Sequence, residues 1–317
     1  MNGREEWDAP TGTRGIVVGY DGSAPSGRAV DWAAAEAARR GLPLTVASAT
    51  DFSGLVGGPG RESPWLSRHA GEGLAETARR GAARARTAAP GLEVREVTRT
   101  EGAAGMLVEL SWWAELVVVG TRGHGEVAGA ILGSVAFAVT AHARCPVTVV
   151  AGDGHVMAGP GHPVLVGVDG SPSAGAALHY AADLAAGLGA PLTVATAWRW
   201  TAAEAWTLGY GAVDHDVTAE VGHLAAGVNA AAVADVRERH PGLEVRSKVV
   251  VGVPGHVLAD LGRNHALIVV GSRGHGGFGG LLLGSVSHAV IHQATCPVVV
   301  VRPVADRAAA GASAGGV

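Results

Sequence analysis

The segment Ile16-Val-Val-Gly-Tyr-Asp-Gly-Ser23 returns as Val164-Leu-Val-Gly-Val-Asp-Gly-Ser171, and Pro43-Leu-Thr-Val-Ala47 returns as Pro191-Leu-Thr-Val-Ala195, both 148 positions later. Gly120, Gly133 and Cys145 have their counterparts 151 positions on, at Gly271, Gly284 and Cys296. A repeat of that length is a duplicated domain, far longer than a solenoid unit. The second copy carries three extra residues between its second strand and its glycine loop. The chain has 317 residues, enough for two domains that each bury a core. The pattern sets domains at 14–151 and 163–303, with the Gly/Pro-rich stretch 152–162 as linker.

Each copy alternates apolar strands with helical segments, which predicts a parallel sheet covered on both faces. In the first copy the strands fall at 15–20, 42–49, 92–100, 116–119 and 146–150. The run 92–100 alternates apolar and polar residues and suits a strand near a sheet edge. Helices are expected from Ser26 to Arg40, stopped by Gly41, then up to about Ala89, and from about Ala103 to Trp113. Residues 1–13 read as a charged leader without the apolar core of a secretory signal, and residues 302–317 as a loose tail.

The chemistry lies in the glycine loops. Gly120-Thr-Arg-Gly and Gly271-Ser-Arg-Gly each follow a buried-type strand, and after nine intervening residues Gly133-Ser134 and Gly284-Ser285 open a helix. Glycine permits positive φ at Gly271 and Gly274 and a close approach of main-chain N–H groups to an anion. The helix start adds unpaired N–H groups and a favourable dipole. A phosphate chain fits. This is not a Walker A loop, since the single Lys of the chain is Lys248; nor is it a Rossmann fingerprint, which follows a first strand.

Composition narrows the class. Apolar residues make up 48% and charged ones 16%, with a formal net charge of -4, so no general electrostatic field favours nucleic acid. No apolar run approaches the length of a membrane span, and the cytoplasm is the expected location. Cys145 and Cys296 read as small apolar residues at strand entries. The fourteen His residues show no compact ligand spacing, so no protein metal cage is expected.

The Asp after the first strand, the Gly-x2-Gly-x9-Gly-Ser loop and the closing Cys-Pro-Val strand together resemble the universal stress protein family in its tandem, ATP-binding form. The resemblance runs from Gly15 to Val301. It implies two open five-stranded parallel sheets of order 3-2-1-4-5, with helices on both faces, an adenine-nucleotide alpha-hydrolase-like (HUP-type) fold. It also implies two ATP sites, with Mg2+. In the first, Asp21 meets ribose or a phosphate-bound metal, the backbone around Ala49 reads adenine, and Gly120, Gly123, Gly133, Ser134 and Val135 hold ribose and phosphates. In the second these roles fall to Asp169, Ala197, Gly271, Gly274, Gly284, Ser285 and Val286. Arg122 and Arg273 are candidate phosphate partners or solvated loop residues. Asp-Gly-Ser is also plain turn chemistry, and Ser134 and Ser285 are also plain N-caps. His124 and His275 read as surface residues, and Trp198 and Trp200 as packing aromatics. Glu126 stands where the second loop has Gly277 and adds negative charge to the first loop.

No catalytic constellation is evident. The expected function is a regulatory one in the stress response, through nucleotide-dependent contacts with a protein partner. A slow ATPase is the first alternative, and an interaction module whose nucleotide is structural or absent is the second. The resemblance further implies an intrachain pseudo-dimer through the last strands, and allows a homodimer.

Overall fold

The computed structural model describes residues 14–50, 64–121, 132–153, 155–199, 215–274 and 283–303, without the side chains of 64–70 and 215–216. The first copy runs β1 (Gly15–Gly19), α1 (Ala24–Arg40), β2 (Leu44–Ala49), α2 (Pro64–Ala88), β3 (Val94–Arg99), α3 (Ala103–Leu110), β4 (Ala114–Gly120), α4 (Ser134–His142) and β5 (Val147–Val150). The second runs β6 (Val164–Gly167), α5 (Pro172–Leu188), β7 (Leu192–Trp198), α6 (His215–Arg239), β8 (Val245–Val251), α7 (Pro254–Gly262), β9 (Leu267–Gly271), α8 (Ser285–Gln293) and β10 (Val298–Val301). The chain divides into two compact units after Val147, ahead of the stretch 152–162, with residues 140–142 falling to the second unit. That stretch holds a turn, with Gly161 at φ 81° and an antiparallel bridge between Gly159 and His162.

Strand order is β3-β2-β1-β4-β5 in the first copy and β8-β7-β6-β9-β10 in the second, the expected 3-2-1-4-5 twice. The pairs β1–β2, β1–β4 and β2–β3 are parallel, as are β6–β7, β6–β9, β7–β8 and β9–β10. Central strands are buried along their length, as Ile16, Val17 and Val18 and again Leu116 to Val119 show, because helices cover both faces. β3 alternates half-buried and exposed residues and β8 is mostly exposed, as outermost strands of their orders.

Helix boundaries follow capping rather than apolar pattern alone. α1 begins at Ala24, two residues before the sequence-based expectation. Ser23 is the N-cap, its Oγ accepting from Ser26 N–H at 3.3 Å, and Pro25 sits in the first turn, where a missing N–H is tolerated. Ser171 and Pro172 do the same for α5. Gly41 and Gly189 end these helices with φ of 63° and 62°, the left-handed conformation a Cβ disfavours. α3 stops at Leu110 rather than Trp113. The chain there tightens into a turn closed by Trp113 N–H to Leu110 C=O at 3.0 Å, so β4 starts early, with Ala114 beside Gly15.

Each unit buries one large polar side chain on a helix, Glu36 in the first and Asn229 in the second, among the described residues. Asn229 on α6 is 1% exposed; its amide lies 3.1 Å from Val194 C=O, 3.2 Å from Thr196 Oγ1 and 3.3 Å from Lys248 C=O, and its oxygen accepts from Ser247 Oγ–H. It ties α6 to β7 and β8. Asn229→Leu removes the amide donor from Val194, Thr196 and Lys248 and the acceptor from the Ser247 hydroxyl, and should cost about 2 kcal/mol, read as a lower urea midpoint of the full chain. Glu36 on α1 is 3% exposed, and burial raises its pKa while Arg39 and Arg40 oppose the shift. A raised carboxylate means the folded state binds more protons than the unfolded one, so the stability contribution is full below the unfolded pKa and is lost as pH rises through the folded value. Glu36→Gln should therefore raise the thermal midpoint at pH 7, with the gain vanishing near pH 4.

Candidate functional site

Both copies build the same corner at the carboxyl ends of the first and fourth strands. After β1 the chain turns through Asp21-Gly22-Ser23, where Asp21 Oδ1 accepts from Ser23 N–H at 3.0 Å and Gly22 takes φ 87°. After β6, Asp169 Oδ1 accepts from Ser171 N–H at 2.9 Å and Gly170 takes φ 84°. The turn reading of Asp-Gly-Ser is therefore correct. It holds each carboxylate in place at the strand end, and both aspartates are exposed there.

The loop glycines have a different reason from the one the sequence suggests. Gly120, Gly271, Gly274, Gly133 and Gly284 do not have positive φ. What excludes a side chain at three of them is crowding: a Cβ on Gly120 would lie 2.8 Å from the Pro25 carbonyl carbon and oxygen, and one on Gly271 2.7 Å from Ser173 backbone and Oγ. A Cβ on Gly274 would strike Asp169 Oδ2, which places that carboxylate directly against the second loop. The base of each loop is closed by a backbone bond, Gly133 N–H to Thr121 C=O and Gly284 N–H to Ser272 C=O, both 2.7 Å.

The helix start also differs in detail. Gly133 and Gly284, extended at ψ 154° and 156°, are the N-caps of α4 and α8, and no side chain caps either helix. Ser134 and Ser285 are thus the first helical residues rather than caps. Their N–H groups and those of Val135 and Val286 lie in the first turn, where α-helix geometry supplies no acceptor and the dipole is positive. An anion satisfies them.

In the first unit these pieces line one cavity of about 290 Å³, bounded by Asp21, Ala49, Gly120, Gly133, Ser134 and Val135. Arg122, Gly123, His124 and Glu126 lie outside the described residues, as do Trp200, His275 and Gly277. Sequence reasoning missed the opposite wall, Ala103, Met106 and Leu107 from α3, together with Tyr20 and Ser26. The signal was weak: a short apolar helix after an edge strand says nothing of which face meets a ligand. Among the described lining residues Asp21 is the one acidic side chain, and no His, Lys or Arg is present. The cavity thus offers an apolar wall for a flat ring, a carboxylate, and a helix N-terminus for an anion. Among its described lining residues there is no acid–base pair.

In the second unit Asp169, Gly271, Gly274 and Gly284 are grouped by these contacts, and Ala197 lies at the end of β7. The Arg273 side chain is exposed, and its N–H donates to Ser173 Oγ at 3.2 Å. Trp198 sits over α6 beside Gly222, as a packing aromatic. Cys145 and Cys296 are buried free thiols, and burial raises the Cys296 pKa to about 11. No helix among the described residues is long and apolar enough to cross a membrane. Among the same residues no group of three or more His, Cys, Asp or Glu is arranged to hold a metal ion.

The sequence model of the universal stress protein family matches residues 12–151 and again residues 161–302. A universal stress protein of Mycobacterium tuberculosis is 36% identical over 299 residues, covering 92% of this chain and 98% of its own. One from Mycolicibacterium smegmatis is 34% identical over 299 residues, covering 91% and 97%. Among solved structures, a universal stress protein from Archaeoglobus fulgidus has the same fold, with a TM-score of 0.64 at 21% identity, over 92% of this chain and 97% of that one.

The crowding at the strand ends gives a direct test. Gly120→Ala or Gly271→Ala forces the first turn of α1 or α5 off the strand end and should cost about 1–3 kcal/mol, measured by chemical denaturation.

Proposed function

The chain belongs to the universal stress protein family, with two of its domains in tandem, and from that premise we propose that it binds ATP at the carboxyl ends of the first and fourth strands of each domain. The observation that carries this reading is the convergence of Asp21, Ala49, Gly120, Gly133, Ser134 and Val135 on one cavity beside a helix start that no side chain caps. Main-chain N–H groups of Ser134 and Val135 hold phosphates, and the apolar wall of Met106 and Leu107 faces the base. The backbone at Ala49 reads the edge of adenine, and Gly123 and Arg122 complete the phosphate loop. In the second domain Asp169, Ala197, Gly271, Arg273, Gly274, Gly284, Ser285 and Val286 take the same parts.

Mg2+ fits this set only together with the ligand. It commonly uses one or two carboxylates plus substrate phosphates rather than a cage of protein groups, and Asp21 or Asp169 supplies one oxygen donor. The role follows from what the site has and lacks. It offers main-chain N–H groups, an apolar wall and a carboxylate, all groups that bind, so occupancy rather than turnover is the variable, read by a regulatory protein partner in the cytoplasm during stress.

Mass spectrometry of the nucleotide released on denaturing the purified chain should give adenine nucleotide at a molar ratio between one and two. Asp21→Ala combined with Asp169→Ala should reduce ATP retention at least tenfold in equilibrium dialysis. A folded chain that retains no ATP at millimolar concentration with magnesium rules this function out.

A further inference from the structure

The two loops share a backbone but not the side chains behind it. In the second unit three buried hydroxyls lie around the loop base: Ser173, Ser272 and Ser287, at 5%, 1% and 2% exposure. Ser173 Oγ lies 3.4 Å from Ser272 Oγ and accepts from Arg273 N–H at 3.2 Å. Ser287 Oγ lies 3.2 Å from Ser272 C=O and 2.9 Å from Gly284 C=O. These bonds join the first turn of α5, the loop entry and the first turn of α8 into one braced unit, around the shared Gly284 to Ser272 closure.

The first unit has Pro25, Thr121 and Ala136 at the same three positions, 148 or 151 residues earlier. Proline and alanine have no hydroxyl to give. The nearest substitute, Ser26, is turned to other work: its Oγ donates to Ser23 C=O at 3.0 Å and lies 3.2 Å from Ser23 Oγ and 3.4 Å from Asp21 N. It steadies the aspartate turn, and among the described residues the loop base is closed by the bond from Gly133 to Thr121. The second unit has Ala174 where the first has Ser26.

We propose that the two sites are unequal: the Ser173–Ser272–Ser287 brace holds the base of the second site, at Ser272, Arg273 and Gly284, in its binding arrangement, so that this site takes nucleotide first and the first site fills later. The physical ground is that a site whose base is already held in its binding arrangement spends less binding energy on ordering itself. This inference rests on the nucleotide reading above. It makes the first domain, filled later, the one whose occupancy responds to nucleotide level. The sequence difference at Glu126 and Gly277 acts in the same direction, by adding like charge to the first loop.

Two measurements on the full chain test it. In calorimetric titration with ATP and magnesium, two affinities should appear, the tighter one abolished by Asp169→Ala and the weaker by Asp21→Ala. Ser173→Ala with Ser287→Ala should weaken the tighter class about tenfold and leave the other unchanged. Ala136→Ser should tighten the weaker class. In the nucleotide-free protein the Gly284 amide should exchange hydrogen more slowly than the Gly133 amide, and the serine double variant should erase the difference. Two equal affinities, a tighter class that belongs to Asp21, or equal exchange at the two glycines overturns the inequality and leaves nucleotide binding standing. No binding of ATP to either site overturns both.

Discussion

The site depends on how closely two pieces of backbone approach at the carboxyl end of the sheet. The last residue of β4 lies so near the first turn of α1 that a Cβ on Gly120 would fall 2.8 Å from the Pro25 carbonyl, and Gly271 stands in the same relation to Ser173. Only a residue without a side chain lets the strand end reach the helix start. Because of that approach the loop leaves the sheet beside the aspartate turn, and the bond from Gly133 or Gly284 back to the loop entry brings the next helix start to the same corner. Aspartate, loop and helix N-terminus then surround the crevice between first and fourth strands, where open α/β sheets hold ligands.

The duplication shows which features that corner requires and which it tolerates. Both copies keep the Asx turn with glycine at positive φ, the crowded strand-end glycine and the glycine N-cap. Around them the cores diverge. In the first unit Tyr20 packs over Gly81, whereas the second has Val168 after its first strand. The position of Ala78 on α2 corresponds to Asn229 on α6, so one copy seals that spot with a methyl group and the other with an amide bonded to β7 and β8. Packing has several solutions of similar stability. The backbone geometry that presents N–H groups to an anion has far fewer.

Much of the fold was legible because its signals are local or repeated. Apolar runs bounded by glycine marked the strands, the alternation at 92–100 marked the edge strand β3, and the repeat made every inference twice. The boundaries were less legible. α1 starts at Ala24 because Ser23 caps it, and α3 ends at Leu110 because the chain tightens before β4, neither of which an apolar pattern encodes. At the site, the sequence pointed to the loops and aspartates but not to the α3 wall of Ala103, Met106 and Leu107, since side chains far apart in sequence meet only through the fold.

By itself the sequence determined the tandem arrangement, the parallel strand order through its family resemblance, and the pairing of a glycine loop with a helix start. Strand period, capping residues and a repeat of about 150 positions are properties of the chain read along its length. Tertiary structure decided why the glycines are there. They meet a steric limit set by Pro25, Ser173 and Asp169, residues about 100 positions away, rather than a local need for positive φ. It also decided that Gly133 and Gly284, not the serines after them, cap their helices, and that Ser173, Ser272 and Ser287 meet behind one loop and not the other. Such contacts depend on distances across the sheet, which the fold alone fixes.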